Sequence, residues 1–236
     1  MTTDTAFAVV ERVRANGPLV HNITNYVVMN NTANALLAFG ASPAMVHATD
    51  EVEEFAAISS SLVINIGTLS SEWIAAMRLA AMTMGRLGRP WVMDPVGAGA
   101  TRLRTQTATD LLSLRPTVVR GNASEILAIS GGVEGGPKGV DSLHESHEAA
   151  GPAAALAKAR GTVVAVTGAV DVVTDGTRTV LIEGGDPLMA RVTGLGCTAT
   201  ALVGACLAVE RDPVLAAVAG LAALKAAGKA AAEVAG

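Results

Sequence analysis

The segment Thr193-Gly194-Leu195-Gly196-Cys197-Thr198 runs straight into an apolar stretch with helical composition. Two glycines let consecutive N–H groups turn toward one point, and a helix start adds partial positive charge there. A loop of this kind binds an anion, typically phosphate, or stabilises a phosphoryl group in transfer. Two carboxylates could work beside it. Asp94 precedes Pro95-Val96-Gly97-Ala98-Gly99, and Glu125 lies in Asn122-Ala123-Ser124-Glu125. Mg²⁺ usually takes one or two carboxylates plus substrate phosphates, so this pair suffices to hold it. Arg120 and Thr167 add a cation and a hydroxyl at comparable positions, each followed by glycine. Singly, each of these residues reads equally well as a turn or a helix cap.

Rival phosphate motifs are testable on spacing. Gly194-x-Gly196-x-x-Ala199 fits the dinucleotide fingerprint formally, but that fingerprint needs a second strand ending in an acid about 20 residues on. Here an Ala-rich helical pattern follows. Gly131 and Gly136 have the Walker separation, yet Pro137-Lys138 stands where Lys-Ser/Thr is required. His144-Glu145-Ser146-His147 has two histidines three apart with no further ligand spacing, which reads as a solvated helix start rather than a metal site. His21 and His47, near strand ends, read as buried, hydrogen-bonded histidines.

The elements that must position these groups follow from hydrophobic patterning. Nearly continuous apolar runs at 62–66, 91–94, 117–120 and 162–166 are expected for strands covered on both faces. Between them lie helical patterns at 25–39, 70–87, 105–114, 123–130 and 144–160. This alternation predicts a single α/β domain over residues 1–236, with a mostly parallel sheet between helices. Residues 170–176 and 178–182 form a hairpin pattern, hence an antiparallel edge. Helices are expected from about Gly196 and from about Pro213, and the glycine-rich stretch 131–139 is expected to be mobile. In such sheets the working residues sit past the C-terminal strand ends, where Asp94, Arg120 and Thr167 would line one crevice.

Composition narrows the classes. Of 236 residues, half are hydrophobic and 16% charged, which excludes a disordered or acidic-tail protein. The net charge of −4 and the lack of a basic run argue against nucleic-acid binding. Mean hydropathy is positive, but the most apolar stretches, 196–209 and 213–224, fall short of the roughly 18–20 residues a spanning helix needs. The first residues, MTTDTAFAVVERV, lack a signal-peptide pattern. A soluble cytoplasmic protein without membrane contact is expected. Cys197 and Cys206, nine apart in one expected helix, are about 13 Å apart by helical rise and cannot pair.

Five segments together resemble the hydroxyethylthiazole kinase family. They are Val20-His21-Asn22-Ile23-Thr24-Asn25-Tyr26-Val27, Ser42-Pro43-Ala44-Met45, Met93-Asp94-Pro95-Val96-Gly97-Ala98, Arg120-Gly121-Asn122-Ala123-Ser124-Glu125 and Thr193-Gly194-Leu195-Gly196-Cys197. The resemblance implies a ribokinase-like fold. It implies phosphorylation of the primary alcohol of 4-methyl-5-(2-hydroxyethyl)thiazole by ATP with Mg²⁺ in thiamine salvage, and a homotrimer with active sites between subunits. Met45 and Gly194 match substrate contacts, with Asn25 and Val27 nearby; Arg120 and Thr167 match ATP contacts; Asp94 and Glu125 match the metal-organising acids. Cys197, with Gly194 and Gly196, occupies the catalytic loop, at the position where related sugar kinases carry an aspartate base. A neutral thiol there shifts the weight from proton removal to alignment and charge neutralisation. Two departures stand out. Leu195 replaces a small polar residue between the glycines, and the family usually continues into a Gly-Pro-Gly-containing segment and helix beyond residues 230–236. The alternatives are another small-alcohol kinase of the superfamily, acting on a vitamin precursor or sugar, and a non-kinase nucleotide binder or lyase on the same fold. Apolar Val27 and Met45 favour a flat heteroaromatic over a sugar.

Overall fold

The computed structural model describes residues 2–131, 146 and 148–235. Residues 132–139 of the glycine-rich stretch and the His144/His147 pair lie outside the described residues. The elements run α1 (Thr3–Asn16), β1 (Leu19–Ile23), α2 (Met29–Phe39), β2 (Ser42–Ala44), α3 (Val52–Ile58), β3 (Ser61–Asn65), α4 (Ser71–Leu87), β4 (Trp91–Asp94), α5 (Arg102–Leu112), β5 (Val118–Asn122) and α6 (Ala123–Ser130). They continue with α7 (Ala150–Arg160), β6 (Val163–Thr167), β7 (Asp171–Thr174), β8 (Thr179–Ile182), a 3-10 turn (Pro187–Arg191), α8 (Leu195–Leu207) and α9 (Pro213–Ala235).

All eight strands join one sheet in the order β2-β1-β3-β4-β5-β6-β7-β8. Pairing is parallel from β2 through β6 and antiparallel for β6–β7 and β7–β8. The expected hairpin is therefore the antiparallel edge. The apolar runs are continuous because successive residues feed two different cores. Leu62, Ile64, Trp91, Met93, Val119, Val164 and Val166 point into a core with α3, α4, α5, α6 and α7. Val63, Val92, Val118, Val163 and Ala165 point the other way, against α1, α2, α8 and α9.

Several boundaries depart from the sequence reading. The sequence reading has no helix at α1, and α2 starts at Met29 rather than residue 25, because residues 25–28 form a turn: the Val27 and Val28 N–H groups donate back to Asn25, at its side-chain and main-chain oxygens. α5 begins at Arg102 because Thr101 caps it, its hydroxyl accepting from the Arg104 N–H. β5 does not end at Arg120 but runs to Asn122, which is also the N-cap of α6. α9 spans 23 residues, well beyond the apolar stretch ending at 224, and is long and apolar enough by composition to cross a membrane. In this fold it packs against α8 and α1, and its 214–221 segment supplies core residues, as a buried helix of a globular domain does.

Candidate active site

The parallel strands bring their C-terminal ends to one rim. Asn25 lies two residues past β1, Met45 one residue past β2, and Asn65, Asp94 and Thr167 close β3, β4 and β6. Arg120 sits within β5 with its side chain on the same rim, since its Nη2 donates to the Thr167 hydroxyl and its Nη1 lies 3.5 Å from Asp94 Oδ2.

Over this rim stands the N-terminus of α8. Gly194 is its N-cap, with φ 84° in the left-handed region that favours glycine, and no side chain caps the helix. The first intrahelical bond is Thr198 N–H to Gly194 O (2.9 Å), so the amides of Leu195, Gly196 and Cys197 precede the helical ladder. Residues 194–197 are only half-buried. The helix start also fits closely against its neighbours. A Cβ on Gly194 would lie 2.5 Å from Val28 Cγ1, and one on Gly196 would lie 2.8 Å from Arg120 Nη1. The guanidinium, the open amides and the helix dipole therefore converge, and such a place attracts negative charge.

Asp94 is fully buried. Its Oδ2 accepts from Thr200 Oγ1 (2.7 Å) and Asn65 Nδ2 (2.9 Å), while Oδ1 has no partner. Burial raises its pKa above the ordinary carboxylate range, opposed by Arg120 and assisted by Glu125. Glu125 forms a capping box with Asn122, its Oε2 accepting the Asn122 N–H (2.8 Å), and its Oε1 accepts the Gly97 N–H (2.9 Å). The helix-cap reading of Glu125 thus holds locally, and the same contacts set the carboxylate between the loop after β4 and the end of β5. Among the described residues no group of three or more His, Cys, Asp or Glu could cage a metal. Asp94 and Glu125 nonetheless fit Mg²⁺ carried in with phosphates, because a buried carboxylate oxygen without a partner is the donor such an ion takes.

Cys197 accepts a weak hydrogen bond from Asn25 Nδ2 (3.4 Å). Its pKa is raised, first by burial and next by the charge of Asp94, so the thiol is neutral at physiological pH despite the helix start. Both cysteines are free, and both lie on α8 as expected. His21, whose Nε2 lies 2.7 Å from Val46 O, is buried and its pKa is lowered by that burial. It is a structural histidine.

A cleft and an exposed apolar surface flank this point. On the Thr167 side, a cleft of about 560 Å³ is lined by Arg120, Thr167, Gly168, Leu195, Gly196, Met189 and Leu224. On the Asn25 side, Val27 and Tyr26 are exposed and the Tyr26 ring packs at a 44° tilt on Trp73 with centroids 4.7 Å apart. Met45 is half-buried at the same edge. A larger cavity of about 680 Å³, at Trp91, Thr117 and Leu207, opens at the other end of the strands and contains none of these residues.

Comparison with known proteins decides what this rim belongs to. The sequence matches the model of the Hydroxyethylthiazole kinase family over residues 10–236. The chain belongs to the hydroxyethylthiazole kinase family. It is 59% identical over 220 residues to hydroxyethylthiazole kinase of Granulibacter bethesdensis, covering 93% of this chain and 80% of that one. The solved hydroxyethylthiazole kinase of Pyrococcus horikoshii OT3 superimposes with a TM-score of 0.85 at 47% identity, covering 93% and 82% of the two chains. An ADP complex of Bacillus subtilis pyridoxal kinase matches at a TM-score of 0.64 and 20% identity, over 86% of this chain and 88% of that one, which shows a shared ribokinase-like fold. In this kinase of the hydroxyethylthiazole family the uncapped N-terminus of α8 stands over the C-terminal ends of the parallel strands.

Three polar residues of the site carry weak sequence signals. Asn65 ends an apolar strand at the position equivalent to Asp94 one strand over, with which it pairs. Thr200 interrupts an apolar helix four residues after Gly196. Lys225 is one of two lysines in the Ala-rich α9, and its buried Nζ donates to Gly168 O (3.2 Å), Ala169 O (2.8 Å) and Gly184 O (3.3 Å).

Proposed function

We propose that this kinase transfers the γ-phosphoryl group of ATP to the primary hydroxyl of 4-methyl-5-(2-hydroxyethyl)thiazole, with Mg²⁺, yielding ADP and the thiazole phosphate. The observation that carries this reading is the α8 N-terminus, whose open amides stand beside Arg120 and the unpartnered oxygen of Asp94. ATP lies in the cleft bounded by Arg120 and Thr167, with its terminal phosphate at Gly194–Cys197. The alcohol lies on the side of Asn25, Val27, Met45 and Gly194, where apolar side chains suit a flat heteroaromatic.

The hydroxyl oxygen forms the new P–O bond as the bond between the γ-phosphorus and the β,γ-bridging oxygen breaks, and ADP leaves with that electron pair. Such a transition state spreads charge over the equatorial phosphoryl oxygens, and positioned donors lower its barrier more than base catalysis does. The amides of Gly196 and Cys197 and the Arg120 guanidinium supply those donors. Cys197, held neutral by its surroundings, packs and aligns rather than removes the proton. That proton, made acidic as the attacking oxygen bonds to phosphorus, passes to a phosphoryl oxygen and from there to solvent water. Mg²⁺, bound with ATP, would be held by Asp94 and Glu125 and would supply charge neutralisation on the phosphates.

The exposed apolar residues Tyr26, Val27 and Val192 flank the acceptor side, and they support a homotrimer in which a neighbouring subunit completes the site. A cytoplasmic enzyme acting on small molecules, without nucleic acid or membrane, agrees with the charge balance. A coupled ADP-release assay across the thiazole alcohol, a pyrimidine alcohol and ribose tests the substrate, and light scattering tests the trimer. Turnover is expected on the thiazole alcohol alone; preferential turnover on ribose overturns the reading.

A further inference from the structure

A polar chain with one direction crosses the site beneath the reacting groups. Asn25 Oδ1 accepts the Val27 N–H (3.1 Å), which fixes the amide flip and turns its Nδ2 toward Asn65 Oδ1 (2.8 Å). Asn65 Oδ1 also accepts the Gly67 N–H (2.9 Å), so its Nδ2 must face Asp94 Oδ2 (2.9 Å). Two backbone donors therefore dictate the orientation of both amides. The fit admits little slack: a Cβ on Gly67 would lie 2.6 Å from Asn25 Nδ2. From the opposite side, Thr200 Oγ1 donates to the same Oδ2 (2.7 Å), and Arg120 Nη1 approaches it at 3.5 Å.

All described donors to Asp94 thus converge on one oxygen. Asn65 and Thr200 together take up the directional lone pairs of Oδ2, and Oδ1 is left buried without a protein partner. We propose that Asn65 and Thr200 are positioning residues that lock the Asp94 carboxylate so that Oδ1 alone is offered to the cation–phosphate unit, and that Asn65 links this lock to Asn25 on the acceptor side. This inference rests on the phosphoryl-transfer reading of the site. Neither residue touches a reacting atom. Their effect is to remove the rotational freedom that would let Asp94 exchange its two oxygens, as partners behind metal-binding carboxylates do elsewhere.

Thr200→Val keeps the shape and deletes the donor, Thr200→Ser keeps the donor, and Asn65→Ala removes the donor to Asp94 without setting a second carboxylate beside it. Steady-state kinetics and calorimetric ADP binding, with and without Mg²⁺, are measured on each. Thr200→Val and Asn65→Ala are expected to lower kcat by about 10- to 100-fold and to weaken the Mg²⁺-dependent gain in ADP affinity by about tenfold. In Thr200→Val, KM for the alcohol should stay within about threefold, and Thr200→Ser should recover most of both losses. A purely structural role would lower the melting temperature and leave the Mg²⁺-dependent gain untouched. That result, or kcat within twofold of wild type in both variants, overturns the proposal. If wild-type enzyme fails to phosphorylate the thiazole alcohol, the substrate reading fails by itself, and the ADP affinities with and without Mg²⁺ still decide the positioning role.

Discussion

Gly196→Ala tests whether Arg120 serves the nucleotide. Gly196 is the second residue of α8, so the substitution places Ala where helical backbone is already adopted. Helix propensity alone makes this neutral or favourable, by up to about 1 kcal/mol. The added Cβ would lie 2.8 Å from Arg120 Nη1, 3.0 Å from Nη2 and 3.3 Å from Cζ, all closer than such contacts comfortably allow. Arg120 must give way, and it is buried and tied to Thr167 and Asp94. One charge-assisted hydrogen bond of this kind contributes about 1.5–3 kcal/mol. Its loss corresponds to a fall in kcat/KM for ATP of roughly 10- to 150-fold. The assay is ADP release at varied ATP with the alcohol saturating, alongside thermal unfolding of the same preparation. The expected pair of results is a strong loss of kcat/KM with a melting temperature lowered by a few degrees, because weakening the buried Arg120 contacts to Asp94 and Thr167 outweighs the helix-propensity gain. If ATP kinetics stay within twofold of wild type, Arg120 does not serve the nucleotide, and the reasoning is wrong. Loss of activity together with non-cooperative unfolding would mean that the helix start itself is disrupted.

Other perturbations test separate parts of the site. Cys197→Ala should lower kcat only modestly, by less than about tenfold, and Cys197→Asp should retain or increase it, since alignment outweighs proton removal; complete loss in a folded aspartate variant contradicts this. The raised pKa of Cys197 favours the neutral thiol, so the rate of its alkylation by iodoacetamide should still be climbing at pH 9.0, its ordinary value, and a plateau below pH 8 would refute the assigned shift. Gly194→Ala forces a side chain into the left-handed region, at about 1–2 kcal/mol, and drives its Cβ to 2.5 Å from Val28 Cγ1; KM for the alcohol should rise more than KM for ATP, read from initial rates. Lys225→Met strips three carbonyls of their donor and leaves buried Asp171 without the cation 3.5 Å away. Breaking a buried pair this way costs about 3–5 kcal/mol, so calorimetry should show the melting temperature falling by on the order of 10 °C.

How far the sequence exposes the site depends on what kind of signal each residue leaves. β3, β4, β5 and β6 are legible because burial on both faces makes them continuous apolar runs. β1 is not, because His21 and Asn22 interrupt the run; both are buried, and they bond to Val46 O and Val20 O rather than to water. The helix patterns predict existence better than boundaries. Asn25, Thr101 and Asn122 each divert the chain through side-chain hydrogen bonds that hydrophobic periodicity does not register. Asp94 and Thr167 stand out as polar strand ends, Arg120 as a cation within β5 two residues before its end, and the glycines of 194–196 announce a helix start. Asn65 carries the same strand-end signature as Asp94 and is equally readable, but an amide suggests a turn where a carboxylate suggests chemistry. Thr200 and Lys225 leave only a polar interruption in an apolar helix, since their meaning comes from what α8 and α9 lie against.

The most direct measurement is a crystal structure of the enzyme with ADP, aluminium fluoride, Mg²⁺ and the thiazole alcohol, in which the fluoride marks the phosphoryl group in transfer. The account predicts the aluminium centre at the start of α8, its fluorides within hydrogen-bonding distance of the Gly196 and Cys197 amides, and the Mg²⁺ contacting Asp94 through Oδ1. A phosphoryl mimic bound away from residues 194–197, or an Asp94 that reaches the metal through Oδ2, would contradict it.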